Sequence, residues 1–263
     1  MRADADADDV DRSGTPTGPG DADDDAGTGD GEAGTGTAAG EDAGTAVDRA
    51  LTAFRAGEPV CVHDFADREG ETDLMYPASA VDEAAVAHMR NDAGGLICVA
   101  VTDPVADAFG LPFLADALDH PAVDDDPAYD DRSSFSLPVN HRETFTGITD
   151  ADRALTITEV ANAANAAAAD PGAYSPEEFA ASFRAPGHVH VLRGARSGLN
   201  DRVGHTELGL ALAEAVDSAP AAVVCEMLDD ETGDALAPED AAAYAARHDI
   251  PYVEGAALVE ALR

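Results

Sequence analysis

Lysine is absent from this 263-residue chain, and so is tryptophan. All fifteen basic residues are arginines, set against 53 Asp and Glu, and the formal net charge is −38. A protein that lives by neutralising nucleic-acid phosphates needs dense Lys and Arg, so that partner is excluded, and an anionic membrane surface with it. Cysteine is scarce. Cys61, Cys98 and Cys225 stand alone in apolar runs, which makes neither a disulfide framework nor a zinc-binding CxxC pair. No apolar stretch approaches the roughly 18 residues that span a bilayer, and the opening MRADADADDV lacks the apolar core of a secretory signal. These absences predict a soluble, reduced, cytoplasmic protein. What is present is ordinary: 45% hydrophobic and 26% charged residues, a balance that excludes wholesale disorder. So acidic a surface repels itself unless screened, and the screening length falls from roughly 8 Å at about 0.15 M salt to roughly 3 Å at about 1 M. The composition therefore predicts a salt-adapted, halophilic protein.

Residues 1–46 hold 13 acids and two arginines, with Met1 and Val10 as the only large apolar side chains. Such a segment cannot bury enough surface to offset its ordering entropy and is expected to be a disordered tail. Its Gly29-Asp30-Gly31-Glu32-Ala33-Gly34 matches GxGxxG in form only, since no strand precedes it and its carboxylates repel a pyrophosphate. Residues 47–263 are expected to form one domain. Periodicity and capping predict helices at 46–56, 82–93, 151–166, 206–216 and 239–248. Apolar runs predict strands at Pro59–Val62, Leu96–Val101, Phe135–Val139, His188–Leu192 and Ala222–Met227. Leu114–Asp131 and Ala167–Ser182 read as insertions, the second opening a short helix at Ser175-Pro176-Glu177-Glu178. The expected fold is α+β: a mixed sheet flanked by helices in three layers.

The densest polar cluster follows the first strand, from His63 and Asp64 to Leu74. Within it Glu69, Glu71 and Asp73 alternate, which in extended chain points all three carboxylates to one face. They repel one another unless a cation lies between them, and a hard divalent ion such as Mg²⁺ takes oxygen ligands of this kind. Arg202-Val203-Gly204-His205-Thr206-Glu207 precedes an apolar-periodic run, so His205 and Thr206 fall at a helix N-terminus, where free N–H groups favour an anion. Arg202 could clamp a phosphate or a carboxylate there. Thr149 and Asp152 resemble a capping box, leaving Thr144 and Thr146 available to a ligand. Glu226, next to Cys225 in an apolar strand, is either a satisfied core ion or a site residue.

Taken in order, Asp67-Arg68-Glu69-Gly70-Glu71-Thr72-Asp73-Leu74, Gly95-Leu96-Ile97-Cys98, Thr146-Gly147-Ile148 with Ala151-Asp152-Arg153, Arg184-Ala185-Pro186-Gly187-His188-Val189, Arg202 to Glu207, and Cys225-Glu226 resemble the 3,4-dihydroxy-2-butanone 4-phosphate synthases of riboflavin biosynthesis. The resemblance covers 47–263, and the two insertions resemble the longer loops of archaeal members. It implies conversion of D-ribulose 5-phosphate to L-3,4-dihydroxy-2-butanone 4-phosphate with loss of carbon 4 as formate. The implied course is a metal-stabilised enediolate followed by skeletal rearrangement. It also implies one or two Mg²⁺ (or Mn²⁺) per site and a homodimer with sites near the interface. Glu69 and His205 match metal ligands. Arg68, Asp73, Thr146, Arg202, Thr206 and Glu226 match positions around the substrate, and Asp64 matches an acidic position implicated in proton transfer. Cys98 matches a cysteine lining the site, and His188 a residue that reaches the phosphate from the neighbouring subunit. Among the carboxylates, Asp64 or Asp73 is expected to abstract the first proton and Glu226 to position a hydroxyl or water.

Many relatives read Glu-Asn-Glu-Gly where this chain has Glu69-Gly70-Glu71-Thr72, and Arg-Pro-Gly where it has Arg184-Ala185-Pro186-Gly187. No zinc-type cysteine cluster follows, so the fused cyclohydrolase of bifunctional relatives is not expected. Two rivals remain: a metal-dependent sugar-phosphate isomerase or aldolase that releases no formate, and a non-catalytic metal-binding protein on the same scaffold.

Overall fold

The β1 strand (Val60–His63) is a buried VCVH run, and the chain doubles back through the acidic turn to pair it antiparallel with β2 (Thr72–Pro77), Val62 opposite Asp73. The computed structural model describes residues 43–65, 68–123, 132–170, 172 and 174–263. Residues 1–42 of the expected tail, with its GxGxxG string, Asp67 and the 124–131 part of the first insertion lie outside them.

Five further strands complete a sheet in the order β4-β5-β3-β6-β2-β1-β7. They are β3 (Cys98–Val101), β4 (Val139–His141), β5 (Phe183–Arg193), β6 (Ala221–Val224) and β7 (Tyr252–Glu254). The pairs β1·β7 and β3·β5 are parallel and the other four antiparallel, so the sheet is mixed. Period-2 alternation sends Leu74 and Tyr76 to one face and Met75 to the other. On the first face pack α2 (Glu83–His88), α3 (Asp103–Phe109), α5 (Asp150–Ala169), α6 (Pro176–Ser182) and α8 (Pro238–Arg247), around Ile157, Val160 and a stack of Phe109, Phe179 and Phe183. Against the second pack α1 (Ala43–Ala56), α7 (His205–Ala215) and α9 (Gly255–Leu262), with Phe54, Leu208, Leu212 and Leu258 buried between them. One further short helix, Leu114–Ala117, lies in the first insertion. The three-layer expectation holds.

Differences from the expected elements have local causes. The first helix begins at Ala43 rather than 46, so it takes the last residues assigned to the tail. The helix expected over 82–93 is α-helical only to His88 and continues as a π turn to Ala93, closed by Gly94 at φ +86. Phe135–Val139 is not a strand: Phe135 makes a single bridge to Leu192, and regular pairing starts at Val139. Ser175 caps α6 through Glu178 N–H, and Thr149 caps α5 through Asp152 N–H, both as expected. The Asp152 carboxylate does not close a capping box. It turns the other way and accepts from Phe145, Thr146 and Gly147 N–H.

β5 carries an irregularity that positions a site residue. Val139 pairs with Val189 but Asn140 with Arg184, so Ala185 to His188 loop out of the ladder. Gly187 permits this, because a Cβ there would stand 1.9 Å from the Val139 carbonyl carbon.

Candidate active site

Two segments far apart in sequence meet on the α7 face of the sheet. Asp64 follows β1, and its Oδ1 accepts from Gly70 N–H at 2.8 Å and Glu71 N–H at 3.2 Å, which folds the acidic turn back on itself. Gly70 takes φ +67, open to glycine at no steric cost. Glu69 thereby faces α7, where His205 follows the N-cap Gly204. His205 Nδ1 lies 3.2 Å from Glu69 Oε2 and 3.6 Å from Asp73 Oδ1.

Asp64, Glu69 and His205 each bring a ligand atom within 4.8 Å of the others. Asp64 Oδ2, Asp73 Oδ1 and His205 Nε2 are buried without a hydrogen bond. Orphaned oxygens and an imidazole nitrogen converging in one place are the donor set a divalent cation requires, so the residues fit Mg²⁺. Their electrostatics agree. Burial, with Glu226 and Glu69 nearby, pushes Asp73 up to about 8. Burial opposes charge on His205, but Asp73, Glu69 and Asp64 outweigh it and raise its pKa to about 9. The His205 hydrogen bond lowers Glu69, whereas burial beside Glu69 and Glu226 raises Glu71. Carboxylates that hold protons in the absence of a counter-ion are crowded carboxylates.

Glu69, Glu71, Asp73 and His205 line a cavity of about 370 Å³ together with Arg68, Cys98, Arg202, Thr206 and Glu226, while Asp64 is not part of its lining. The alternation of Glu69, Glu71 and Asp73 is only partly strand geometry, since β2 starts at Thr72, yet all three face the cavity. Glu226 lines the cavity: half-buried, it bridges to Asp73 and accepts from Leu96 N–H at 2.8 Å. Gly95 admits it, for a Cβ would sit 2.6 Å from Glu226 Oε2. Arg68 and Arg202 both reach the Gly204 backbone, where a Cβ would meet their guanidinium nitrogens at 2.8 and 2.6 Å. Two guanidinium groups side by side in one wall recognise an anion of more than one negative charge. Arg202 is oriented by Glu207, whose fully buried carboxylate accepts from Arg202 Nη1 at 2.7 Å, Ala195 N–H at 2.9 Å and Gly204 N–H at 3.3 Å. Burial pushes the Cys98 thiol up, so it stands in the wall protonated.

Two expected site residues stand elsewhere. Thr146 and His188 do not line this cavity; they sit at a tip formed by the loop after β4 and the looped-out residues of β5, joined through Asn140. Phe145 and Ile148 beside them are 93% and 52% exposed. Arg184 reaches the Thr144 carbonyl and hydroxyl, so it braces that tip. Sequence reasoning missed Arg132, Ser133, Ser134 and Phe135, which close one side of the cavity. Their signal was an Arg-Ser-Ser string after an acidic run, between the expected insertion and the expected strand that opens at Phe135. A larger cavity of about 800 Å³ lies between α1, His88 and His248–Pro251. It has no converging metal-ligand set among the described residues.

The sequence profile of the 3,4-dihydroxy-2-butanone 4-phosphate synthases matches residues 48–261. A synthase of that name from Archaeoglobus fulgidus is 48% identical over 226 residues, covering 82% of this chain and 93% of its own. The one from Saccharomyces cerevisiae is 31% identical over 221 residues, covering 83% and 99%. Among solved structures, a 3,4-dihydroxy-2-butanone 4-phosphate synthase in complex with two magnesium ions is 28% identical with a TM-score of 0.68, covering 82% of this chain and 95% of that one. Sequence, fold and the acidic cluster concur, and the chain belongs to the 3,4-dihydroxy-2-butanone 4-phosphate synthase family.

Proposed function

We propose that the protein converts D-ribulose 5-phosphate to L-3,4-dihydroxy-2-butanone 4-phosphate and formate, a step of riboflavin biosynthesis. The observation that carries this reading is a cavity that Glu69 and His205 line beside Arg68 and Arg202, with Asp64 bringing a third ligand atom within 4.8 Å of theirs, in a chain of this family. The reaction balances without oxidant or reductant. Arg68 and Arg202, with Thr206 at the start of α7, bind the phosphate. Glu69 and His205 hold Mg²⁺ or Mn²⁺, one or two ions, and Asp64 stands with them as a third ligand or as a proton acceptor. A bound divalent ion would supply Lewis-acid charge to adjacent substrate oxygens.

The remaining residues handle protons. Burial and the neighbouring carboxylates push Asp73 up to about 8, and a positive charge bound beside it would lower it toward a base suited to abstraction next to a carbonyl near neutral pH. Glu226, its carboxylate fixed by Leu96 N–H, orients a hydroxyl or water. Cys98 excludes water from one wall. Thr146 and His188 serve the cavity of a second copy, and the exposed Phe145 and Ile148 beside them support a homodimer through that tip. The acidic composition supports a salt-adapted cytoplasmic enzyme. No helix among the described residues is long and apolar enough to cross a membrane.

The deciding experiment is incubation with ribulose 5-phosphate at high salt with and without Mg²⁺, scoring one formate per substrate consumed. Substrate loss without formate would establish an isomerase or aldolase instead. Glu69→Gln and His205→Ala should each weaken Mg²⁺ binding by calorimetry and abolish most turnover while the dimer persists. Mixing inactive Glu69→Gln with the weakened His188→Ala should give more activity at low substrate than the two measured separately if sites are shared between copies.

A further inference from the structure

Asn140 lies beneath His188, buried where the looped-out residues of β5 cross β4. Its Oδ1 accepts from the His188 backbone N–H at 2.8 Å, while its Nδ2 lies 3.1 Å from His188 Nδ1 and 3.5 Å from the Thr146 carbonyl. The orientation of this carboxamide is dictated by its partners. A backbone N–H can only donate, so the atom facing it is the oxygen; a carbonyl can only accept, so the atom facing Thr146 is the nitrogen. The amide nitrogen is itself only a donor, and the atom it meets on the imidazole must therefore accept. His188 Nδ1 carries no proton in this arrangement, and the ring's proton resides on Nε2. Gly147 belongs to the same device, because a Cβ there would come within 2.0 Å of Asn140 Nδ2.

We propose that Asn140 is a positioning residue that holds His188 in its Nε2–H tautomer, so that the exposed edge of the ring meets the substrate as a hydrogen-bond donor. This rests on the reading above, in which His188 reaches the phosphorylated substrate of a second copy. A phosphate oxygen offers only lone pairs at this surface, and the opposite tautomer would present a lone pair to it. The same amide links His188 to Thr146, so both residues approach the substrate as one rigid unit.

The test has a spectroscopic and a kinetic arm, both on the full-length dimer. With ¹⁵N-histidine labelling at about pH 8, above the ordinary imidazole pKa, the His188 ring should show a protonated Nε2 and a bare Nδ1, assigned by comparison with His188→Gln. Asn140→Asp, whose carboxylate can only accept, should draw a proton onto Nδ1. A protonated Nδ1 in the wild type overturns the proposal, as does an unchanged ring in Asn140→Asp. Kinetically, Asn140→Leu should raise KM for ribulose 5-phosphate roughly tenfold, one hydrogen bond to a charged oxygen, with kcat within about twofold. The same substitution in the His188→Ala background should add nothing. An equal rise in that background overturns the positioning role, since Asn140 would then act only on the fold. An unchanged KM in His188→Ala alone instead refutes the placement of His188 against the substrate, while the ring spectrum still decides the tautomer.

Discussion

Glu207 offers the sharpest test of how the site is held. Its side chain is fully buried, and its two oxygens receive donors from three places: the Ala195 N–H after β5, the Gly204 N–H before α7, and the Arg202 guanidinium. Glu207→Ala strands all three and leaves Arg202, only 20% exposed, without this counter-charge. Removing one partner of a buried ion pair costs about 3–5 kcal/mol. In a domain of this size each kcal/mol moves Tm by roughly 2–4 °C, so a fall of roughly 6–20 °C is expected at fixed protein and salt concentration. Glu207→Gln keeps one acceptor for Ala195 N–H but turns an amide donor toward Arg202 or Gly204, and should lose roughly half as much. Calorimetry with and without Mg²⁺ makes the measurement. A Tm for Glu207→Ala within about 2 °C of wild type would refute the reasoning, because a carboxylate that holds three donors cannot vanish unnoticed from a dry interior.

Three other outcomes are expected. Gly187→Ala cannot keep the β4–β5 crossing, where its Cβ would lie 1.9 Å from the Val139 carbonyl carbon; activity should collapse through His188 while metal affinity measured by calorimetry is kept, and wild-type turnover would contradict the close approach. Asp73 and His205 are both raised, to about 8 and about 9, so at these two groups the fold binds more protons than the unfolded chain. Their contribution to stability should fall as pH rises from about 4 through about 9, and the gain in Tm from Mg²⁺, which displaces those protons, should grow over the same range; a pH-independent gain would rule this out. Cys61, Cys98 and Cys225 are buried and burial pushes every thiol up. A thiol reagent should therefore label none of them until the protein unfolds, and rapid labelling of Cys98 in the native state would be the contrary result.

Much of the fold could be read from periodicity because its elements are locally self-consistent. The Thr149 and Ser175 caps placed the starts of α5 and α6 correctly. β2 escaped as a strand because its opening residues, Thr72 and Asp73, are polar groups buried for the site rather than apolar residues buried for the core. Phe135 was misread as strand for the opposite reason: an apolar side chain that lines a cavity looks in sequence like one that lines a core. The acidic turn, Arg202, His205 and Glu226 were legible since each breaks a local rule, a charge cluster or a carboxylate in an apolar run. Asn140 and Glu207 were not. Their meaning lies in partners 48 residues away and in a three-way convergence, neither of which leaves a trace in the local pattern.

Glu69 and His205 are 136 residues apart in the chain. Closing so long a loop precedes any reward from the contact, and it brings carboxylates together in a polypeptide that already repels itself. A divalent cation that binds only once both segments have docked is then a folding ligand as well as a catalytic one, drawing the equilibrium toward the assembled state by mass action. The cell's free magnesium would set the abundance of the folded enzyme as well as its rate.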